Sequence, residues 1–140
     1  MVDEGQTAMI DYSPAQNYAD IVRALAIVES QEQPNAVGDN GQARGLLQIH
    51  PAQFRQYYGA SATFLADIHD TWIEADIKCC AAYLDKWDNI SLDLRIMGWN
   101  LGINAVVEGK RNPEYLAKFD AAYNQVKGQH GSSTPAPTAT

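Results

Sequence analysis

Apolar residues in this chain recur at steps of three and four along several stretches, and this spacing constrains the fold more than any other feature. The clearest example runs from residue 73 to residue 88 and follows a capping-box spacing at 71–74. The alternation of apolar and polar residues that marks half-buried strands is nearly absent. The sequence therefore predicts an all-α, mostly helical fold. The apolar face of the clearest stretch comprises Ile73, Ile77, Cys80, Leu84 and Trp87.

The remaining helices are predicted from residues that start and stop helices. Ser13-Pro14 predicts the start of the first helix, Asn112-Pro113 predicts the start of the last, and Gly128 is expected to end it. A polar loop with Asp39-Asn40-Gly41 at its centre is typical of the turn of a small hairpin. The predicted helical stretches are 13–30, 51–58, 61–68, 92–100, 104–108 and 113–128.

The length of 140 residues and the apolar content of 46% are those of one globular domain. We predict an N-terminal extension over residues 1–12 and a domain over residues 13–128. Residues 129–140 are rich in Ser, Thr, Pro, Ala and Gly and offer little to bury, so we expect a disordered tail. The start of the chain lacks the basic region and the apolar run of a secretory signal.

Charge and side-chain spacing exclude several partners. The net charge of −7 and a pI near 4.7 argue against nucleic acid, because a polyanion needs a basic face. No run approaches the roughly 18 apolar residues of a membrane span. The adjacent Cys79 and Cys80 predict two free thiols, and the scattered His50, His69 and His130 form no metal-ligand spacing. We expect no metal, no cofactor and a monomer.

Glu29 lies where a carboxylate is unexpected, on the apolar face of the first predicted helix. Tyr18, Val22, Leu25 and Glu29 follow one another at steps of four, three and four. Burial penalises the charged form of a carboxyl, so we expect the pKa of Glu29 to be raised, as a general acid requires. The alternative is a structural glutamate that is paired with a basic residue or lies at the rim of the stripe.

Three separated segments carry a further signal: Glu29-Ser30 at a helix end, Gly45-Leu46-Leu47-Gln48-Ile49 after a polar loop, and Trp99-Asn100 further on. Together they resemble the lysozyme-like superfamily of lytic transglycosylases and goose-type lysozymes. In that family they correspond to the Glu-Ser pair, a Gly-Leu-Met-Gln segment and an Ala-Tyr-Asn segment. The departures are Leu47 in place of Met and Gly98-Trp99 in place of Ala-Tyr. The resemblance covers about residues 21–126 and implies a lysozyme-like fold.

The resemblance also implies a role for each matched residue. It makes Glu29 the catalytic acid, and Ser30 could orient it. Gln48 and Asn100 would then donate hydrogen bonds to sugar substituents, whereas Trp99 and Tyr115 would offer apolar faces to sugar rings. Read without the family, Trp99 is a core residue and Gln48 bonds the backbone.

The implied reaction is cleavage of the β-1,4 bond between N-acetylmuramic acid and N-acetylglucosamine in peptidoglycan glycan strands. We predict a lytic transglycosylase that forms 1,6-anhydromuramic products. A goose-type-like hydrolase that uses Asp39 to position water is the alternative, because Gly38-Asp39-Asn40-Gly41 resembles a loop of those lysozymes. Against it, His50 stands where they carry a second Asp. A non-catalytic peptidoglycan-binding module is a further alternative. The expected setting is a phage lysis or virion enzyme, or a bacterial periplasmic enzyme without its leader.

Overall fold

The computed structural model describes residues 10–58 and 73–133, with side chains up to residue 129. The chain begins with a 3-10 segment, Ser13–Tyr18, and continues into helix α1, Ala19–Ser30. The predicted single helix from Ser13 is wrong, because Gln16 has φ 55° and ψ −121° and interrupts it. The backbone N–H of Ser13 donates to Asp11 Oδ1 at 2.9 Å, so Ser13 follows an Asx-type turn and does not cap a helix.

A small hairpin follows α1, as the sequence predicted. Strands β1, Val37–Gly38, and β2, Ala43–Arg44, are antiparallel, with Val37 opposite Arg44 and Gly38 opposite Ala43. The connection is a 3-10 turn over Asp39–Gly41, in which all three residues have positive φ. Asn, Asp and Gly tolerate this left-handed conformation better than other residues, which is why this tripeptide can close the hairpin.

The remaining described elements are helical. They are α2, Pro51–Tyr58; α3, Ile73–Lys86; α4, Leu92–Leu101; α5, Ile103–Val107; and α6, Pro113–Ser133. The Ser91 side chain caps α4, and the Asn112 side chain caps α6 by accepting from the Tyr115 N–H at 3.1 Å. The mostly helical fold predicted from the sequence is confirmed.

The predicted helix end at Gly128 is wrong, because α6 continues to Ser133. A glycine weakens a helix interior by about 1 kcal/mol relative to Ala but does not remove a hydrogen bond, so flanking residues can carry the helix through it. The predicted turn at 61–68 and the capping spacing that starts at Thr71 lie outside the described residues.

The core lies where α1 packs against α6 and where α3 packs against α2 and the 3-10 segment. On α1, Val22 and Leu25 are fully buried, and Tyr18, the last residue of the preceding 3-10 segment, is partly buried. The apolar face predicted for α3 is buried over its central part and partly exposed at both ends, at Ile73 and at Trp87, which directly follows the helix. Cys79 and Cys80 are both buried and free. Within the described ranges, no helix has both the length and the apolar character that crossing a membrane demands.

Candidate active site

Glu29 lies in the last turn of α1, directly beyond the buried part of its apolar face. The helix ends at the next residue, Ser30, and the following Gln31 adopts the left-handed conformation with φ 55°. The carboxyl is half-buried at this position. Burial raises the pKa of Glu29 to about 7. The hydrogen bond from Tyr115 lowers this pKa, whereas the negative charge of Asp39 raises it by a smaller amount. A large fraction of Glu29 is therefore protonated near neutral pH.

Tyr115 binds the Glu29 carboxyl from the first turn of α6. Its hydroxyl donates to Glu29 Oε2 at 2.5 Å, and its side chain is only 8% exposed. Burial raises the pKa of Tyr115 far above its usual value, so the hydroxyl keeps its proton and acts as a donor. The sequence predicted Tyr115 as a sugar-facing ring, whereas the structure gives its hydroxyl a direct contact with the candidate acid.

Asn112 connects this pair to Asn100. The Asn112 Nδ2 donates to Asn100 Oδ1 at 2.8 Å, while Asn112 Oδ1 accepts the backbone N–H of Tyr115. Asn100 itself is exposed at the pocket wall. The sequence predicted Asn112 only as a helix cap. Its second contact, to the end of α4, depends on how α4 and α6 pack, and no local sequence signal reports that packing.

Ser30 holds the segment beneath the site. Its hydroxyl donates to Leu46 O at 2.7 Å, has Ala26 O as a second acceptor within reach at 3.2 Å, and accepts from the Gln33 N–H at 3.0 Å. These bonds fix the end of α1 to the segment that contains Leu46. The sequence suggested that Ser30 could orient the Glu29 carboxyl. In the structure the Ser30 hydroxyl instead contacts backbone groups.

The Gln48 side chain packs against the hairpin at Gly38. Its Nε2 donates to Ala36 O at 3.1 Å and to Gly45 O at 3.0 Å, which is the backbone bonding that the alternative interpretation predicted. Its Oε1 is so close to Gly38 that a Cβ on this glycine would overlap it. Gly38 has extended backbone angles, so a glycine is needed here for close approach and not for an unusual conformation.

Trp99 is mostly a core residue. It is 6% exposed, its Nε1 donates to Leu47 O at 3.3 Å, and its ring lies 5.1 Å from that of Tyr83. The small part of Trp99 that remains accessible lines the pocket around Glu29. A sugar at this pocket would therefore meet only a small part of the Trp99 side chain.

The pocket brings five of the seven predicted site residues together. It has a volume of about 200 Å³. Tyr115 reaches it through Glu29, and Ser30 lies behind it. Asp39 Oδ2 is 3.1 Å from His50 Nε2, so the hairpin turn is held to the segment before α2. The predicted residues in the pocket wall are Glu29, Asp39, Gln48, Trp99 and Asn100.

This arrangement is suited to general acid catalysis. It combines a carboxyl that is about half protonated at pH 7, a neutral hydroxyl bound to one of its oxygens, and a pocket lined by amide groups. No group of three or more His, Cys, Asp or Glu side chains among the described residues is placed to hold a metal ion.

The family model described as the transglycosylase SLT domain matches residues 13–134. This range includes every candidate site residue, from Glu29 to Tyr115. No curated protein and no solved structure matches the chain.

Proposed function

The chain belongs to the transglycosylase SLT domain family of peptidoglycan-cleaving enzymes, and from this premise we propose that Glu29 is the general acid and base of a lytic murein transglycosylase. The resemblance seen in the sequence, to lytic transglycosylases within the lysozyme-like superfamily, is thereby confirmed at the level of the family. The observation that carries the residue assignment is the half-buried Glu29 carboxyl with its raised pKa, bound by the Tyr115 hydroxyl.

The hydrogen bond from Tyr115 supports a particular placement of the acidic proton. Glu29 Oε2 accepts the Tyr115 hydroxyl, so the proton of the neutral carboxyl is best placed on Oε1. From there it would pass to the glycosidic oxygen between N-acetylmuramic acid and N-acetylglucosamine. As that bond breaks, the acetamide of the substrate stabilises the cation, and Tyr115 stabilises the new carboxylate because a donor favours the charged form.

The second half of the reaction returns the proton to Glu29. The Glu29 carboxylate takes the proton of the muramic C6 hydroxyl, and the oxygen of that hydroxyl bonds to C1 of the same sugar. A 1,6-anhydromuramic end then forms without water. Hydrolysis would require a second carboxylate that positions a water. Asp39, the candidate for that role, is paired with His50 and lies in a turn that accounts for an Asp by itself.

A hydrolase that uses Asp39 is the second candidate function. Two observations favour it: Asp39 lines the same pocket as Glu29, and its charge contributes to the raised pKa of Glu29. The non-catalytic alternative is less well supported, because a binding module has no need of a protonated carboxyl at this position. As a setting we propose a phage lysis or virion enzyme, or a bacterial periplasmic enzyme, acting as a monomer.

Mass spectrometry of the fragments released from purified cell wall tests the reaction type. We expect 1,6-anhydromuramic ends to dominate, and Asp39→Asn to keep most of the turnover. The opposite result would be reducing muramic ends together with a loss of about a hundredfold in Asp39→Asn, the size of effect that a working acid or base supplies. That outcome would assign the chain to the hydrolases.

A further inference from the structure

A groove of about 570 Å³ continues from the Glu29 pocket along α4 and α5. The two cavities have four lining residues in common, His50, Gln53, Trp99 and Asn100. A polymer that is cut at Glu29 and extends in this direction must therefore lie in the groove. A volume of this size accommodates more than one sugar unit or a sugar with an attached chain.

Two aromatic side chains form one wall of the groove: Tyr57 on α2, and Trp87 directly after α3. Trp87 Nε1 donates to the Tyr57 hydroxyl at 3.0 Å, and the Tyr57 ring packs edge-on to Tyr83 at 5.3 Å. The ammonium of Lys86 lies 5.2 Å from the centre of the Trp87 ring. A cation is attracted to the face of an indole ring, so this contact favours side-chain conformations that keep the Lys86 ammonium at this wall.

The charge of the groove differs from that of the whole chain. The chain carries a net charge of −7, yet the lining contains no Asp or Glu among the described residues, and Lys86 is the one Lys or Arg in it. No carboxylate of the described part of the chain lies within salt-bridge distance of the Lys86 ammonium. The groove thus offers a cation, an aromatic wall and amides to a ligand that carries a carboxylate.

We propose that Lys86 binds a carboxylate of the peptide stem on the glycan strand, and so selects strands that carry stems. The inference rests on the proposed function, because peptidoglycan is the assumed substrate. In an intact strand the sugars are uncharged and the lactyl carboxyl is consumed by the amide to the stem, so the carboxylates belong to the peptide. Lys86 is accordingly a specificity residue and takes no part in proton transfer.

The test compares three substrates: intact strands, strands whose stem carboxylates have been converted to amides with carbodiimide and ammonia, and strands whose stems an amidase has removed. For the wild type, kcat/KM should fall about two- to fivefold on amidated strands, the range for an exposed ion pair. Raising the salt concentration should reduce this preference. Lys86→Gln should cleave intact and amidated strands equally.

Lys127→Gln is the matched control. Lys127 is also an exposed lysine over an aromatic ring, 5.7 Å from the centre of Tyr123, but it lies on α6 and does not line the groove. It should keep the wild-type preference. Melting curves of both variants show whether either substitution alters the fold.

Failure of the proposed function and failure of the Lys86 inference give different experimental results. If the chain does not cleave peptidoglycan at all, the wild type cleaves none of the three substrates. If only this inference fails, the wild type cleaves intact and amidated strands equally, or Lys86→Gln keeps the wild-type preference. Stripped strands have no stem, so a loss for Lys86→Gln on them that equals its loss on intact strands would show that Lys86 acts independently of the stem, and would overturn the stem assignment.

Discussion

Glu29→Gln should make the protein more stable at alkaline pH, because it removes a carboxyl that the fold disfavours in its charged form. The folded-state pKa of about 7 lies above the ordinary value of 4.5. A raised pKa means that the folded state binds the proton more tightly than the unfolded state does. The wild type therefore loses stability as the pH rises from about 4.5 through 7, and the Gln variant does not.

The size of the effect follows from the shift. Each pKa unit corresponds to about 1.4 kcal/mol, so the full shift amounts to about 3 kcal/mol. Glu29 is only half-buried, so solvent reduces this value, and we expect about 2 kcal/mol at pH 8. For a domain of this size, that difference raises the melting temperature by roughly 8 °C. The amide oxygen of Gln can still accept the Tyr115 hydroxyl, so this contact is kept.

Thermal and urea unfolding at several pH values between 4 and 8 measure the difference. It should be near zero at pH 4, where both side chains are neutral, and should grow toward pH 8. Glu114→Gln is the control, because Glu114 is exposed in the first turn of α6 and its negative charge favours the helix. That variant should be slightly less stable at pH 8, the opposite sign. A Glu29→Gln variant that is no more stable than the wild type at pH 8 would refute the burial argument.

Three further substitutions test other contacts of the site and core. Leu25→Ala should lower the free energy of unfolding by roughly 2–5 kcal/mol, because Leu25 is fully buried; an unchanged urea midpoint would contradict this. Tyr115→Phe removes a donor that lowers the pKa of Glu29, so the alkaline limb of the profile of kcat/KM against pH should move from about pH 7 to higher pH. The plateau value of kcat/KM should fall about tenfold. A move of the alkaline limb to lower pH would be incompatible with this role. Gly38→Ala should displace the Gln48 side chain and destabilise the fold by about 1–3 kcal/mol in thermal unfolding, and a variant of full stability would show that the approach is loose.

The features that could be predicted from sequence are those set by short-range patterns. The three-and-four spacing identified the stripe on α3, and the turn residues at 39–41 identified the hairpin. Gln16 was missed because its side chain is compatible with a helix, and only the left-handed backbone at that position breaks one. Gly128 was misread because a glycine is a weak helix stop when flanking residues remain helical.

The site shows the same division between local and long-range information. Glu29 could be identified from one helix face, because burial of a carboxyl follows from its position on an apolar stripe. The roles of Ser30 and Gln48 depend on which distant carbonyl groups their side chains meet after folding. The contact between Tyr115 and Glu29 joins residues that are 86 positions apart, so it requires the packing of α6 on α1.

The central claim, that Glu29 supplies the proton, is tested most directly by the lytic activity of Glu29→Gln. The fall in turbidity of a cell-wall suspension at pH 6 is compared among the wild type, Glu29→Gln and Glu114→Gln, with circular dichroism to show that each is folded. We predict a loss of about 100- to 10,000-fold for Glu29→Gln, because an amide has no proton to give, and wild-type activity for Glu114→Gln. Activity of Glu29→Gln within about tenfold of the wild type, or about 1.4 kcal/mol of barrier, would contradict the account.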